Sequence, residues 1–423
     1  MPQICHPDTG LFDLCIKVRP AGEDQHGDTE ARPVQTAGQL DHLALGTAET
    51  EVFHDEEHMH FIRHGCILMY SGQICKSVAA LPCARLGRIV LFMKNAHPHT
   101  SDIPLRVVVS LDVEEEGLFS GHYAASGCGV SNVSLLPRLA PLSRDLGFPL
   151  TLFCAHTVFA DAGACHVLEQ MRDHYGAEIG AHLHHWSTPP ASPLDPPHEG
   201  QPTRTDKLPR DLLRQRLATL LDAGREFQGA PLTSFRMGRW DLKGGVRPLL
   251  SEAGIRVDSS VCPLRHFPGG PDHFLAPADP YWVEGWQGAP LLEAPITQIP
   301  LHPALARLWY RACPAASRDT FHFWGVLSPN PFWHAPRIMR WAARLHRQRG
   351  GQVLSLFWHS SEMLPGGSPH VPDQKAADAV LARIHAFLSW LRETFPVQGC
   401  TASQLAELPA GTFPVRPAGR GDW

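Results

Sequence analysis

The feature that most constrains the fold is an alternation of strand-like and helix-like segments that begins near Leu105 and continues almost to the C-terminus. The strand-like segments are short β-branched, aliphatic or aromatic runs, whereas the segments between them repeat apolar residues every three or four positions. This alternation favours a parallel sheet covered by helices, which is the α/β class. Strands are expected at 106–113, 149–155, 177–184, 232–238, 255–261 and 352–359, and the clearest helices at about 207–227 and 374–394.

The remainder of the 423-residue chain lacks this regularity. Residues 1–100 show neither a helical nor a strand period, so we interpret them as a poorly structured N-terminal extension, or as untranslated sequence if Met93 is the true start. One domain is therefore expected from 103 to 409, followed by a C-terminal tail over 410–423. Residues 263–334 are rich in Pro, Gly and Trp and are expected to form long loops over one end of the sheet.

Composition argues against several classes of protein. The formal charge of −5, without a dense basic stripe, argues against a nucleic-acid partner. The eleven Cys include no C-x-x-C pair, so neither a zinc ribbon nor a thioredoxin-like motif is expected. The N-terminus lacks a basic region followed by an apolar run, and the apolar segment 84–93 is too short to cross a bilayer. A cytoplasmic protein without a transmembrane segment is expected, and the oligomeric state is not predicted.

Four of the expected strands end in residues that can carry chemistry, and the first ends in Ser-Leu-Asp112-Val-Glu114. Side chains two positions apart point to the same side of a strand, so these two carboxylates share a face. One of them could bind a metal while the other acts as a base. Alternatively they belong to a solvated acidic turn, since Glu115 and Glu116 follow.

The second such strand end carries His182 and His184 on one face, with His185 turned away. Neutral imidazoles at this spacing can hold a divalent cation. The spacing alone is weak evidence because the chain contains 26 His. The metal-site interpretation depends on the strand that precedes His182 and on the acidic strand end upstream.

The other two strand ends carry an Arg and a further His. Arg236, in Phe-Arg-Met-Gly-Arg-Trp, could keep a carboxylate ionised and oriented through paired hydrogen bonds. Arg239, three residues later, could equally be a surface residue. His359, after the strand 352–359, could protonate a leaving group or could be structural.

In this order, the carboxylates, imidazoles, Arg and final His resemble the polysaccharide deacetylase family, also called the NodB-homology or carbohydrate esterase family four group. The resemblance runs from the first strand to about residue 408 and implies a distorted (β/α)7-type barrel. Two positions depart from the common motifs. Val113 stands where many members have a second Asp, and Trp186 stands where they have a second His. The chain looks instead like a variant branch with D-x-E and H-x-H motifs.

On that resemblance Asp112 is the catalytic base and Glu114 and His182 are metal ligands. The second imidazole ligand is His184 or, alternatively, His185. The resemblance also implies that Arg236 orients the base and that His359 is the general acid. It implies a divalent cation, zinc first, with cobalt, manganese or iron as alternatives.

The implied function is metal-dependent hydrolysis of an N-acetyl or O-acetyl group on a sugar or polysaccharide precursor. Trp186, Arg239 and Trp240 are the expected substrate contacts, although such Trp residues can also simply pack loops onto a barrel. One alternative keeps the chemistry but acts on a small cyclic amide or ureide, as allantoinases do. Another is a non-catalytic barrel that binds metal or glycan without turnover.

Overall fold

The computed structural model describes residues 103–416 apart from 122, 196–200, 244 and 284–289, together with the short segments 69–70 and 73–74. The two short segments are strands β1 (Met69–Tyr70) and β2 (Gln73–Ile74), which pair antiparallel. Otherwise the predicted N-terminal extension, residues 1–100, lies outside the described residues, as does the Met93 start. Of the predicted tail, 410–423, the structure describes residues up to 416.

The predicted strands are present with small shifts of their ends, except that the run at 255–261 forms a strand only at Val257–Asp258. Each apolar run forms a buried strand because its residues face helices or other strands on both sides of the sheet. The strands are β3 (Leu105–Val113), β4 (Leu150–Cys154), β5 (Glu178–Leu183), β6 (Ser234–Met237), β7 (Val257–Asp258), β8 (Tyr281–Val283), β9 (Leu291–Glu293), β10 (Ile299–Pro300), β11 (Val326–Leu327), β12 (Val353–His359), β13 (Val397–Cys400) and β14 (Val415–Arg416).

Helices follow most of these strands, and two of the long ones begin at a capping Asp. Asp161 accepts a hydrogen bond from Ala164 N at 2.7 Å at the start of α3, and Asp373 accepts one from Ala376 N at 2.8 Å at the start of α9. The helices are α1 (Ala140–Arg144), α2 (His156–Phe159), α3 (Ala162–Tyr175), α4 (Arg210–Gln228), α5 (Val246–Glu252), α6 (Pro303–Ala312), α7 (Ala315–Arg318), α8 (Pro336–Gln348), α9 (Gln374–Thr394) and α10 (Ala402–Leu405).

The main sheet confirms the α/β fold class. Its strand order is β12-β3-β4-β5-β6-β7-β9-β8-β14, with β13 also paired to β3, and it curls into a half-barrel. The pairs are parallel except for β8 with β9. β3 pairs with β12 along one edge, while its other edge pairs first with β13 and then with β4. The carboxyl ends of β3, β5, β6 and β12 therefore lie near one another at one end of the half-barrel.

The segment 263–334 differs from the prediction of long loops alone. It contains strands β8 to β11 and helices α6 and α7, and β10 pairs with β11 as a separate antiparallel ladder. Its apolar residues form packed clusters of their own, one of them around Phe274 and Phe321. Across the described ranges, the structure contains no helix both long and apolar enough to traverse a lipid bilayer.

Candidate metal centre and catalytic pair

The side chains singled out at four strand ends meet at the carboxyl end of the sheet. The strand register sets His359 opposite Asp112 and His182 opposite Arg236. Asp112, His182 and Arg236 are all buried. Residues far apart in sequence thus share one small polar site inside an apolar sheet.

Glu114, His182 and His184 form a cluster whose potential ligand atoms lie within 4.8 Å of one another. Glu114 Oε2 is 3.5 Å from His182 Nε2 and 3.3 Å from His184 Nε2. Two ligand atoms on a tetrahedral zinc ion with bonds of about 2.0–2.1 Å lie about 3.3 Å apart. The cluster therefore fits a divalent cation bound by one carboxylate and two imidazoles.

Both imidazoles are oriented by hydrogen bonds at the nitrogen that faces away from the cluster. His182 Nδ1 lies 3.0 Å from Arg236 O, which can only accept, so this nitrogen donates and leaves Nε2 with its lone pair. His184 Nδ1 lies 2.9 Å from Glu115 Oε1. Such outer partners fix the tautomer and the ring orientation of a metal-binding His.

Glu115 is fully buried and is itself held in place. Its Oε1 accepts from Ser187 Oγ at 3.0 Å and its Oε2 accepts from Thr157 Oγ1 at 3.0 Å. Burial opposes protonation of His184, but the Glu115 carboxylate, assisted by Glu114, raises the pKa of His184 to about 10. The His184 ring thus lies between two carboxylates, an electrostatic environment that favours a cation.

Glu114 is ionised despite its burial. Burial alone disfavours the carboxylate, but the charge of His359, followed by the close contacts with His182 and His184, holds the pKa of Glu114 well below its usual value. Ser360 Oγ also accepts a hydrogen bond from the Glu114 backbone N at 3.2 Å. Glu114 is therefore anchored beside the loop that follows β12.

The structure brings His184, and not His185, to the cluster. His185 is buried elsewhere, and burial together with the charge of Arg216 lowers its pKa to about 3. Trp186 stacks on the His184 ring at 4.3 Å with an interplanar angle of 21°. Only 2% of Trp186 is exposed, and the ring packs against His184; its predicted contact with substrate stays a prediction.

Gly238 lets the chain after β6 approach the metal-binding cluster closely. A Cβ built at this position would overlap His184 Cδ2 and lie 2.8 Å from Leu183 O. A larger residue would therefore displace the His184 ring.

Asp112 and Arg236 form a buried ion pair next to the cluster. Arg236 Nη1 donates to Asp112 Oδ1 at 2.6 Å, and Asp112 Oδ2 lies 3.9 Å from His182 Nε2. Arg236 also donates from Nη2 to Ser110 Oγ at 2.8 Å and to Ser259 Oγ at 3.0 Å. One Asp112 oxygen is therefore fixed, while the other faces the centre of the site.

His359 completes the site from the opposite side. Its Nε2 lies 3.8 Å from Asp112 Oδ2, and its Nδ1 lies 2.9 Å from Glu362 Oε2. Burial opposes protonation, but the charge of Glu114, followed by the hydrogen bond and charge of Glu362 and the charge of Asp112, raises the pKa of His359 to about 10. This environment favours the charged form of His359.

Arg239 and Trp240 lie at the edge of the site. Both adopt positive φ angles, 55° and 54°. Arg239 lies over the Tyr123 ring at 5.1 Å and donates to Gln201 Oε1 at 2.5 Å. Trp240 packs edge-on against Phe357 at 4.9 Å. Both side chains are partly exposed, and their predicted contact with substrate stays a prediction.

Asp258 and Glu293 form a second buried carboxylate pair, outside the cluster of Glu114, His182 and His184. They lie opposite each other in β7 and β9. Glu293 accepts from Arg247 Nη2 at 3.0 Å and from Val261 N at 3.0 Å. Burial raises the pKa of both carboxyls, and proximity to Asp258 raises that of Glu293 further. We interpret this pair as a brace for the loop after β7.

Glu115 and Glu362 are the functional candidates that the sequence did not single out. Glu115 was grouped with the solvated acidic turn, and strand alternation places it opposite Asp112 and Glu114. It reaches His184 because β3 ends at Val113 and the chain then leaves the strand geometry. Glu362 had a recognisable signal, since an acidic residue three positions after a helix cap is the spacing of a capping box.

Comparisons with known proteins give similarities in structure only. No protein-family model matches the chain, and no curated protein matches it. A Mycobacterium smegmatis protein assigned provisionally as a polysaccharide deacetylase is 18% identical, with 75% of this chain and 94% of that one covered at a TM-score of 0.45. An allantoinase is 16% identical, with 71% of this chain and 89% of the allantoinase covered at a TM-score of 0.45. A Parabacteroides distasonis protein assigned provisionally as a glycoside hydrolase or deacetylase is 12% identical, with 73% of this chain and 72% of that one covered at a TM-score of 0.49. The chemistry proposed below rests on the residues of this chain.

Proposed function

We propose that the chain is a metal-dependent hydrolase of the polysaccharide deacetylase type, which releases acetate from an N-acetylated or O-acetylated sugar or saccharide precursor. The observation that carries the proposal is the meeting of the Glu114, His182 and His184 ligand atoms beside the carboxylate of Asp112 and the imidazole of His359. A ligand set, a base and an acid in one buried cluster are the groups that amide or ester hydrolysis requires.

Metal binding, proton acceptance and proton donation are assigned to different residues. A divalent cation held by Glu114, His182 and His184, zinc or otherwise cobalt, manganese or iron, would activate water and polarise the acyl oxygen. Asp112 presents its Oδ2 to the cluster and accepts the proton that the attacking water loses. His359 donates a proton to the amine or alcohol as the bond to the acyl carbon breaks, which yields acetate.

Arg236 and Glu362 act through these two groups. Arg236 fixes the Asp112 Oδ1 atom by a hydrogen bond, so that Oδ2 is the oxygen that is available to take a proton. Glu362 accepts from His359 Nδ1, so that Nε2 is the nitrogen from which the proton is delivered. We therefore assign both as positioning residues.

The first test is a measurement of metal content in the full-length protein. Wild type is expected to hold about one equivalent of zinc or another divalent cation, and His182→Ala and Glu114→Ala are expected to lose it while remaining folded. His185→Ala is the matched control, because His185 belongs to the same motif and is equally buried but lies outside the cluster. Retention of metal by the first two variants, or loss only in the control, would contradict the ligand assignment.

The partner of His184 offers a second test of the same centre. Replacing Glu115 by Gln removes the charge that orients the ring, and loss of such a partner commonly weakens metal affinity about 10–100-fold. Glu116→Gln is the matched control, since Glu116 accepts from Ser131 Oγ at 2.7 Å and Asn132 N at 2.9 Å and forms no contact with the ligands. A chelator competition titration measures both, and equal affinities would contradict the assigned role.

The reaction itself is tested by substrate screening. Acetate release from N-acetyl and O-acetyl sugars is to be compared with ring opening of allantoin, because the same residues could serve either substrate. Asp112→Asn and His359→Gln are expected to abolish turnover while metal content persists. Bound metal with no turnover of any substrate would favour the non-catalytic alternative. The cytoplasmic location stays a prediction from sequence.

A further inference from the structure

A small cavity lies beside the loop that follows β7, outside the metal-binding cluster. Its volume is about 100 Å³, and its polar lining consists of Arg247, Asp272, His273 and Tyr281. Of its described lining residues, none is assigned to the proposed reaction. A water molecule occupies about 30 Å³ of the liquid, so the cavity has room for a ligand of about four or five non-hydrogen atoms, which is smaller than one sugar ring.

Arg247 gives the cavity a permanent cation. Its Nη2 donates to Glu293 Oε2 at 3.0 Å, whereas its Nε is buried without a hydrogen-bond partner. A guanidinium has five N–H groups, so much of its donor capacity is unused within the described part of the chain. Burial, followed by the proximity of Asp258, raises the pKa of Glu293 well above its usual value, which reduces the negative charge that faces Arg247. Arg247 can therefore donate to a further anion.

His273 and Tyr281 add two uncharged donors to the lining. Cys262 N donates to His273 Nδ1 at 3.2 Å, so the neutral ring carries its hydrogen on Nε2. Burial, followed by the charge of Arg247, lowers the pKa of His273 to about 3, which keeps the ring neutral. Burial likewise raises the pKa of Tyr281, so its hydroxyl stays protonated. Among the residues that the structure describes, neither His273 Nε2 nor the Tyr281 hydroxyl has a hydrogen-bond acceptor.

The carboxylate of Asp272 in the lining already has partners of its own. Its Oδ2 accepts from Arg318 Nη1 at 2.9 Å and lies 3.4 Å from His266 Nδ1. The rest of the described lining is apolar and includes Leu242, Val261 and Pro271. The cavity therefore combines a cation and two neutral donors with apolar surface, and the negative charge at its edge is paired.

We propose that this cavity binds a short-chain carboxylate of the size of acetate, with its oxygens on Arg247, His273 and Tyr281 and its alkyl group against the apolar lining. Hydrogen bonds from a guanidinium to a carboxylate are among the stronger ones in proteins. Inorganic phosphate would use the donors but would leave the apolar lining without a role. A cationic ligand would be repelled by Arg247.

The cavity borders the loop that holds Arg236. Val261, which lines the cavity, donates from its backbone N to Glu293 Oε1 at 3.0 Å, and Glu293 is also the partner of Arg247. Two residues before Val261, Ser259 O accepts from Arg236 Nε at 3.0 Å. A carboxylate on Arg247 would therefore lie one loop away from the guanidinium that pairs with the proposed base. Its binding does not depend on which reaction the candidate active site performs.

The test is a titration of the full-length protein with acetate at neutral pH, followed by saturation transfer to the acetate methyl group in NMR. The protein is first freed of metal by dialysis against a chelator and then against buffer, so that acetate cannot bind to a cation at the metal-binding cluster. A ligand this small is expected to bind with a dissociation constant of about 1 mM. Acetamide, which has the same shape without the charge, should bind about tenfold more weakly or worse. Benzoate, which is too large for the cavity, should not compete with acetate.

Two conservative variants locate the binding site. Tyr281→Phe removes one hydroxyl and should weaken acetate binding about tenfold or more, because a hydrogen bond to a charged group is lost. Arg247→Lys keeps the charge but loses the planar donor fork, and it should also weaken binding. Tyr175→Phe, at the end of α3 and partly buried outside the cavity, is the matched control and should bind like wild type.

Equal unfolding midpoints in urea show that the control and at least one of the two cavity variants are folded. Absence of acetate binding, or binding that the folded cavity variants leave intact, would overturn the proposal. Acetamide or phosphate binding as tightly as acetate would also overturn it. Because none of these readouts uses catalysis or a bound metal, failure here leaves the proposed hydrolase activity untouched.

Discussion

Arg236→Met is the change whose cost follows most directly from the structure. The guanidinium is fully buried, donates to Asp112 Oδ1 at 2.6 Å and lies 4.4 Å from the centre of the Phe153 ring. Met keeps much of the volume but none of the charge. The Ser110 and Ser259 hydroxyls retain their own backbone acceptors at 2.9 and 2.7 Å, so the group left without its main partner is the Asp112 carboxylate.

Removing one partner of a buried ion pair commonly costs about 3–5 kcal/mol. Asp112 Oδ2 still faces His359 at 3.8 Å and His182 at 3.9 Å, so the lower end of that range is expected. Adding Asp112→Asn to Arg236→Met removes the unpaired charge and should recover part of the loss. Arg225→Met breaks an exposed pair and should cost less than about 1 kcal/mol.

The assay is urea unfolding at neutral pH with a chelator in every sample, so that cation binding does not contribute to the free energy of unfolding. The reasoning is refuted if Arg236→Met costs no more than Arg225→Met. It is also refuted if the Asp112→Asn change, added to Arg236→Met, lowers stability further instead of restoring it.

Two further predictions concern a glycine and a buried His. Gly238→Ala should displace the His184 ring and lower metal affinity by about tenfold or more, whereas Gly245→Ala, whose new Cβ meets nothing within 4 Å, should leave it unchanged in the same chelator titration. Burial opposes protonation of His346, but the charge of Asp279 raises the pKa of His346 above 6.5. Burial likewise opposes ionisation of Asp279, but the charge of His346 lowers the pKa of Asp279 below 3.8. The pair therefore stabilises the fold fully between about pH 4 and 6.5. The stabilisation should fall as pH rises through the folded-state pKa of His346, and also as pH drops through the folded-state pKa of Asp279. In unfolding measured as a function of pH, Asp279→Asn should therefore flatten both slopes. An unchanged profile would refute the assignment.

The strands were predictable because their apolar runs are short, bounded by turns and rich in β-branched residues. The run at 352–359 became Val353–His359, and 106–113 became Leu105–Val113. The run at 255–261 gave only Val257–Asp258. Ser259 N still donates to Phe235 O at 2.8 Å, but Met237 N donates to Ser260 Oγ and Val261 N donates to Glu293 Oε1 instead of to backbone carbonyls. Hydrogen bonds to side chains therefore end this strand earlier than the apolar sequence pattern predicts.

The helices inside 263–334 were harder to foresee. Helix α6 mixes Arg, Leu, Trp and Tyr around its circumference, and only Ala306 among its residues is buried. Its stability comes from the packing of Trp309 against Phe321 and Trp324, a contact between residues that are distant in the sequence. With ten residues, the helix is also shorter than the window that a periodicity argument needs.

At the site, the residues at strand ends were predictable, and the residues that orient them were not. Asp112 and Arg236 could be paired because parallel strands bring their carboxyl ends together. Glu115 lies two residues after the end of β3 at Val113, so strand alternation no longer indicates where its side chain points. Whether His184 or His185 faces Glu114 likewise depends on where β5 ends, at Leu183.

The pairing of β3 with β12 has a consequence for how the protein is made. Ser110 Oγ donates to Leu356 O across 246 residues of sequence, and the same ladder sets Asp112 beside His359. All three candidate cation ligands have been synthesised by residue 184, whereas His359, the proposed proton donor, follows 175 residues later in a chain of 423. A nascent chain therefore contains all three candidate cation ligands long before it contains the two strands, β12 and β13, that pair with β3.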